Sequence, residues 1–125
     1  MTARYADFAF TDPIKERQKT AGSHASYDNM AKKSTGEADA IGEAEEAFIG
    51  MRDSFCVASV TSDGWPYMQH RGGPRGFLKV VDPHTLAWAD YTGNKQYISA
   101  GNVDDENRVS LFLMDYPNQR RLKIM

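Results

Sequence analysis

The chain has 125 residues, 41% of them hydrophobic, with a formal charge of -2 at pH 7 and a single cysteine. That length suits one domain burying roughly two thirds of its unfolded surface, and the slightly acidic balance excludes a general nucleic-acid or membrane-surface binder. Cys56 alone excludes an intramolecular disulfide or thiolate zinc site; with no apolar run near the roughly 20 residues of a membrane span and no leader-like start, a cytoplasmic protein is expected.

Asp12 followed by Pro13 reads as an N-cap with proline at the first helical position, and Gly22 as a stop, predicting a helix over 13–21. Ser23 is placed to cap a second helix. Lys32 to Gly42 mixes Ser, Thr, Gly, Glu and Asp with almost nothing bulky and apolar, which reads as a mobile loop. In EAEEAFIGMRD, Ala44, Phe48 and Met51 share a helical stripe, and three glutamates load the first turn where negative charge favours the helix dipole.

From Ser54 the period becomes extended. SFCVASVT, the reversal Ser62–Asp63–Gly64 and WPYMQHR form a hairpin signal. GFLKVVD follows a Gly-rich kink, and Asp82–Pro83–His84 turns into TLAWADY. Asn94 to Val103 reads as a helix capped by Asn94. RVSLFLMD is suited to a central strand, Tyr116 to Gln119 to a turn, and RRLKIM to a sixth strand cut short by the C-terminus. The expected architecture is mainly β: a small six-stranded antiparallel barrel with short flanking helices, since closure hides strand edges. A helical and loop segment, 1–42, precedes the barrel, 43–125, within one domain overall.

Two cationic turns stand out. In QHRGGP, Gly72 and Gly73 permit close backbone approach to a ligand, with His70 and Arg71 beside them as donors. A β-bulge with solvated charges is the competing reading. In TGNK, Gly93 and Asn94 at a helix start would present free N–H groups, and Lys95 in a first turn is unfavourable unless an anion lies nearby. An Arg fork, a Lys charge and free N–H groups converging from separate loops suit a phosphate. His24, His70 and His84 are too scattered for a metal site, and none is assigned. His84 reads as a solvated turn residue, Cys56 as a small buried hydrophobe, and Trp65 and Trp88 as core or subunit-contact residues.

The helix EAEEAFIGMRDSF, the strand CVASVTSDGWPYMQHRGGPRGFLKVVD, the segment LAWADYTGNKQYISAGNV and the strand RVSLFLMD together resemble the FMN-binding split barrel of the pyridoxamine 5'-phosphate oxidase family, especially its oxidase-related members, over about residues 41–125. The resemblance implies flavin mononucleotide bound at a homodimer interface and an FMN-dependent oxidoreductase acting on a small-molecule substrate or NAD(P)H. Carried over, Arg71 matches the basic position in the kink, with Arg75 as the alternative, and Lys79 the lysine of the next strand. Ala89 and Asp90 fall where backbone and a short polar side chain meet the flavin. Asn94, Lys95 and Gln96 match the turn that closes on the phosphate, Gln96 replacing a basic residue. Arg121 falls near a position reaching the flavin across the dimer. The segment carrying the family's substrate-binding Arg and His has no counterpart before Met125, so pyridoxamine phosphate oxidation itself is not expected: either the chain is naturally short or residues beyond Met125 have been lost. His70 is the nearest approach to an acid–base group. A non-catalytic flavin carrier or sensor, or a binder of the deazaflavin F420, is the alternative reading.

Overall fold

The computed structural model describes residues 4–33, 39–91 and 93–125. They fall into two compact units, 1–40 and 41–125.

The first unit is helical: α1 (Tyr5–Ala9), α2 (Asp12–Ala21) and α3 (His24–Lys32). Pro13 sits in the first turn of α2, where a missing N–H costs nothing. Gly22 takes the left-handed conformation, φ 75°, that ends the helix. Ser23 precedes α3 but does not cap it with its side chain; its hydroxyl donates back to the Gln18 carbonyl at 3.5 Å. The helix α1 was absent from the sequence reading because YADFA is too short to show a period. None of the three helices buries a residue, although Phe10 and Tyr27 meet edge to face at 5.7 Å. Of the expected loop over 32–42, residues 34–38 lie outside the described residues, while Lys32 still belongs to α3 and Gly42 immediately precedes the next helix.

The second unit holds α4 (Glu43–Gly50), β1 (Ser54–Val60), β2 (Pro66–Gly72), β3 (Lys79–Asp82), β4 (Thr85–Ala87), α5 (Ile98–Asp105), β5 (Ser110–Asp115) and β6 (Arg120–Ile124). All pairings are antiparallel. Four strands form one sheet in the order β2-β1-β5-β6, while β3 and β4 form a separate hairpin. The six strands are therefore present, but among the described residues no ladder joins the two sheets into a closed barrel. Both hairpin strands are shorter than the sequence suggests. Gly76, at φ 75°, turns the chain so that Phe77 and Leu78 drop into the core instead of continuing a strand. The ladder of β4 stops at Ala87, although Trp88 still packs edge to face on Phe55 at 5.2 Å.

Alternation along β1 sends Phe55, Val57 and Ser59 inward and Cys56 and Ala58 to the opposite face. Cys56 is thus half-buried outside the main core, contrary to the sequence expectation. The core is built by Phe48 and Ile49 of α4, Phe55 and Val57 of β1, Phe77 and Leu78 of the kink, and Leu111 and Leu113 of β5, with Val80, Leu86 and Trp88 packed against them. Ile49 and Leu113 are wholly enclosed, each side chain contributing about 2–3 kcal/mol of hydrophobic stabilisation. The inward stripe of α4 is Phe48 and Ile49; Met51 lies past the helix end and is exposed.

Arg52 anchors the junction of α4 and β1. Its guanidinium donates to the carbonyls of Phe48 and Met114, both at 3.2 Å, and lies 3.5 Å from Asp115 at the end of β5. Asp115 is held below the usual carboxylate range chiefly by the Asn118 side chain, with a smaller contribution from Arg52. At the margin of the sheet, β6 alternates Leu122 and Ile124 over the core with Arg121 and Lys123 opposite Met114 and Phe112 on the outer face.

Candidate functional site

On β2 the same alternation that carries the core turns Tyr67, Gln69 and Arg71 to the inner face, where they pair with Ser59, Val57 and Phe55. Beyond the apolar core this row ends in polar groups. Opposite it, α5 is held to the sheet by two side-chain hydrogen bonds. Ser99 Oγ donates to Gln69 Oε1 at 2.7 Å, and Asn102 Nδ2 donates to Ser59 Oγ at 3.0 Å. These bonds fix the start of α5 beside the middle of β2 and its next turn beside Ser59 of β1, and the chain entering α5 adds a further side.

The result is a hollow of about 210 Å³ lined by Gln69, Arg71, Asp90, Lys95, Tyr97 and Ser99, with Tyr91, Gly93, Asn94, Ile98 and Ala100. Arg71 and Lys95, on separate elements, face one cavity. Arg71 is mostly buried, its side chain 23% exposed, and its Nη1 donates to Asp90 at 3.0 Å. Its Nε is buried without a hydrogen-bond partner. A buried guanidinium N–H left unpaired is costly. Lys95 is exposed and, among the described residues, has no carboxylate within 4 Å.

The turn that presents Lys95 is strained. Lys95 and Tyr97 hold φ of 61° and 57°, left-handed values that cost a side-chain-bearing residue about 1 kcal/mol or more each. Asn94 does not cap a helix as its sequence position suggests, because α5 begins only at Ile98. Its Oδ1 instead accepts from the Gln96 N–H at 3.1 Å, an Asx turn that bends the segment toward the cavity. Lys95 accordingly lies upstream of the helix rather than in its first turn, and the helix-dipole argument for an anion lapses; the shared hollow takes its place.

Of the residues singled out from sequence, Arg71, Asp90, Gly93, Asn94 and Lys95 line this hollow. The others do not. His70 follows Gln69 in an extended strand, so it points to the opposite face and pairs with Cys56. Gly72 ends β2 on that same outer side, and Arg121 lies there too, opposite Met114. Lys79 opens β3 and its Nζ lies by Gly76. Ala89 and Gln96 are exposed next to lining residues without lining the hollow themselves. Arg75, the alternative to Arg71, is also exposed away from it.

The Gly-rich kink does different work from that expected. Its Gly73 and Gly76 N–H groups donate to Asp53 and Arg52 carbonyls at 2.9 and 2.8 Å, and Phe77 stacks on Phe55 at 5.5 Å. A Cβ on Gly73 would lie 2.8 Å from the Phe77 ring, so this glycine makes room for the core rather than for a ligand.

Gln69, Tyr91, Tyr97 and Ser99 were missed by sequence reasoning. Gln69 was accessible through the two-residue period that it shares with Arg71, whereas the left-handed turn bringing Tyr97 to the rim has no glycine or asparagine at the strained positions to announce it. Among the described residues no cluster of His, Cys, Asp and Glu is suited to a metal ion, and no helix is long and apolar enough to cross a membrane.

Comparison with curated proteins and with solved structures yields no match. The family model described as pyridoxamine 5'-phosphate oxidase matches residues 41–125, the same bounds as the second compact unit and the whole of the sheet, kink and hollow. With two thirds of its length so matched, the chain belongs to the pyridoxamine 5'-phosphate oxidase family, whose domains generally bind flavin.

Proposed function

We propose that this protein is an FMN-dependent oxidoreductase, built on the split-barrel plan of its family, with the flavin phosphate seated in the hollow between β2 and the start of α5. The observation that carries the reading is the convergence of Arg71 and Lys95 on one cavity, with a buried guanidinium N–H that lacks an acceptor. The residues present suit the group. Arg71 would donate its N–H fork to phosphate oxygens and Lys95 would add a point charge, an arrangement that favours an anion with several oxygens. Gln69, held by Ser99, would fix the polar chain next to the phosphate. Bound flavin supplies the hydride- or electron-accepting chemistry, with NAD(P)H or a small organic molecule as donor.

At about 210 Å³ the hollow is smaller than the roughly 300–1,000 Å³ of whole-ligand pockets, which fits a phosphate end seated inside and a ring system lying outside. Tyr91 and Tyr97 stand exposed at its rim, 51% and 68%, as apolar walls for such a ring. A second copy of the chain would complete the enclosure, so the working unit in this reading is a homodimer with two equivalent sites. The compartment is the cytoplasm.

One observation favours a second reading, a non-catalytic carrier or sensor of FMN or of the deazaflavin F420. His70 faces away from the hollow, and the lining offers Asp90, Tyr91, Tyr97 and Lys95 but no histidine for proton transfer. Stopped-flow mixing of flavin-loaded protein with NADPH separates the two: fast bleaching of oxidised flavin is expected of the enzyme, and persistent colour of the carrier. The seat itself is tested by titrating FMN and riboflavin into the Arg71→Ala, Lys95→Ala double variant. FMN affinity is expected to fall about 100-fold, two charged contacts at about 1.4 kcal/mol each, with riboflavin little changed; equal losses for both ligands would remove the phosphate assignment.

A further inference from the structure

Asp90 lies on Arg71 in a way that sets the terms of anion binding. The contact is a single hydrogen bond, from Nη1 to Oδ1 at 3.0 Å, although a guanidinium and a carboxylate can form two parallel bonds. The two partners differ sharply in burial: the Arg71 side chain is 23% exposed and the Asp90 side chain 70%. The cation is therefore fixed in the wall of the hollow, with its Nε unpaired, while the carboxylate can turn into water by rotating a short side chain. Asp90 is moreover the one carboxylate among the described lining residues, set against two cations.

Resting on the phosphate reading given above, we infer that Asp90 is a displaceable stand-in for the ligand's anion. It occupies Arg71 while the site is empty, and the phosphate enters by exchange with it. The exchange has a direction set by geometry. A phosphate presents several oxygens to the fork where Asp90 uses one, and it offers an acceptor to the donors that Asp90 leaves unused. After the exchange the Asp90 charge stays within a few ångströms of the phosphate and opposes it, more strongly for a dianion than for a singly charged phosphodiester. Asp90 thus governs how much of the flavin affinity comes from the phosphate and which phosphate chemistry the hollow prefers.

The test compares wild type with Asp90→Asn by titration with FMN, riboflavin and inorganic phosphate. The amide keeps the shape and removes the charge, so FMN is expected to bind roughly five- to tenfold more tightly at low salt, with riboflavin changed less than twofold. Weaker FMN binding, or equal tightening of FMN and riboflavin, overturns the inference, because Asp90 would then be supporting the ligand or acting on its ring. A variant that no longer folds overturns it as well, since an exposed stand-in contributes nothing to packing. Failure of the underlying reading has its own signature, FMN and riboflavin binding to wild type with the same affinity. In that case the Arg71 Nε–H resonance reads the inference directly: a midpoint at lower phosphate concentration in Asp90→Asn upholds it, and an unchanged midpoint refutes it.

Discussion

Asn102 Nδ2 donates to Ser59 Oγ at 3.0 Å, and both residues are buried. This is a helix pinned to a sheet by a polar bond inside an otherwise apolar contact, and it positions the wall of the hollow from beneath. Replacing Ser59 with Ala leaves a buried amide donor unsatisfied, at a cost of about 1–3 kcal/mol. The expected result is a lower denaturant midpoint together with weaker FMN binding. Unchanged ligand affinity would mean that α5 holds its place without this bond.

The two kinds of glycine in this chain separate cleanly. Gly76 has φ 75°, and a Cβ there would lie 3.0 Å from the Gly50 carbonyl, whereas Gly93 has open space around it. Gly76→Ala is expected to lose about 2 kcal/mol or more. Gly93→Ala should stay within about 0.5 kcal/mol. Equilibrium unfolding in urea measures both; similar costs would refute the packing role assigned to the kink.

Tyr97 is 68% exposed and left-handed, so a glycine in its place loses little packing and relieves backbone strain. Tyr97→Gly is expected to raise stability by up to about 1 kcal/mol. It should at the same time weaken flavin binding by removing an aromatic wall. Thermal unfolding and flavin titration on the same preparation check the opposed signs.

Asp115 has a folded pKa below its ordinary value of about 3.9, set first by Asn118. A depressed carboxylate stabilises the fold above its unfolded pKa, and that contribution disappears as pH falls through the folded pKa. Asp115→Asn should therefore be less stable than wild type at pH 7, with the gap in melting temperature closing below about pH 4. A gap that stays constant down to pH 2 would show that the carboxylate charge is not what matters.

Much of the fold was legible because local signals agreed with tertiary demands. Pro13 and Gly22 bound α2, Asp63–Gly64 announces the first hairpin, and SLFLMD alternates as a central strand should. The third and fourth strands were misjudged because Phe77 and Leu78 look like strand residues while being drawn into the core, and nothing local distinguishes the two fates. The candidate site was half legible. Arg71 and Lys95 announce themselves by charge beside turn residues, but His70 was included because it neighbours Arg71 in sequence, and an extended chain sends neighbours to opposite faces. Gln69 was overlooked for the same reason in reverse.

One of the two outermost strands of the sheet, β6, turns Arg121 and Lys123 outward over Met114 and Phe112. Among the described residues no further strand pairs with this margin, and two like charges in alternate positions make a second identical margin an unwelcome neighbour. Neutralising both would leave the core contacts of Leu122 and Ile124 in place while removing a like-charge barrier to edge-to-edge pairing, so the double variant Arg121→Gln, Lys123→Gln is expected to aggregate at lower concentration than wild type.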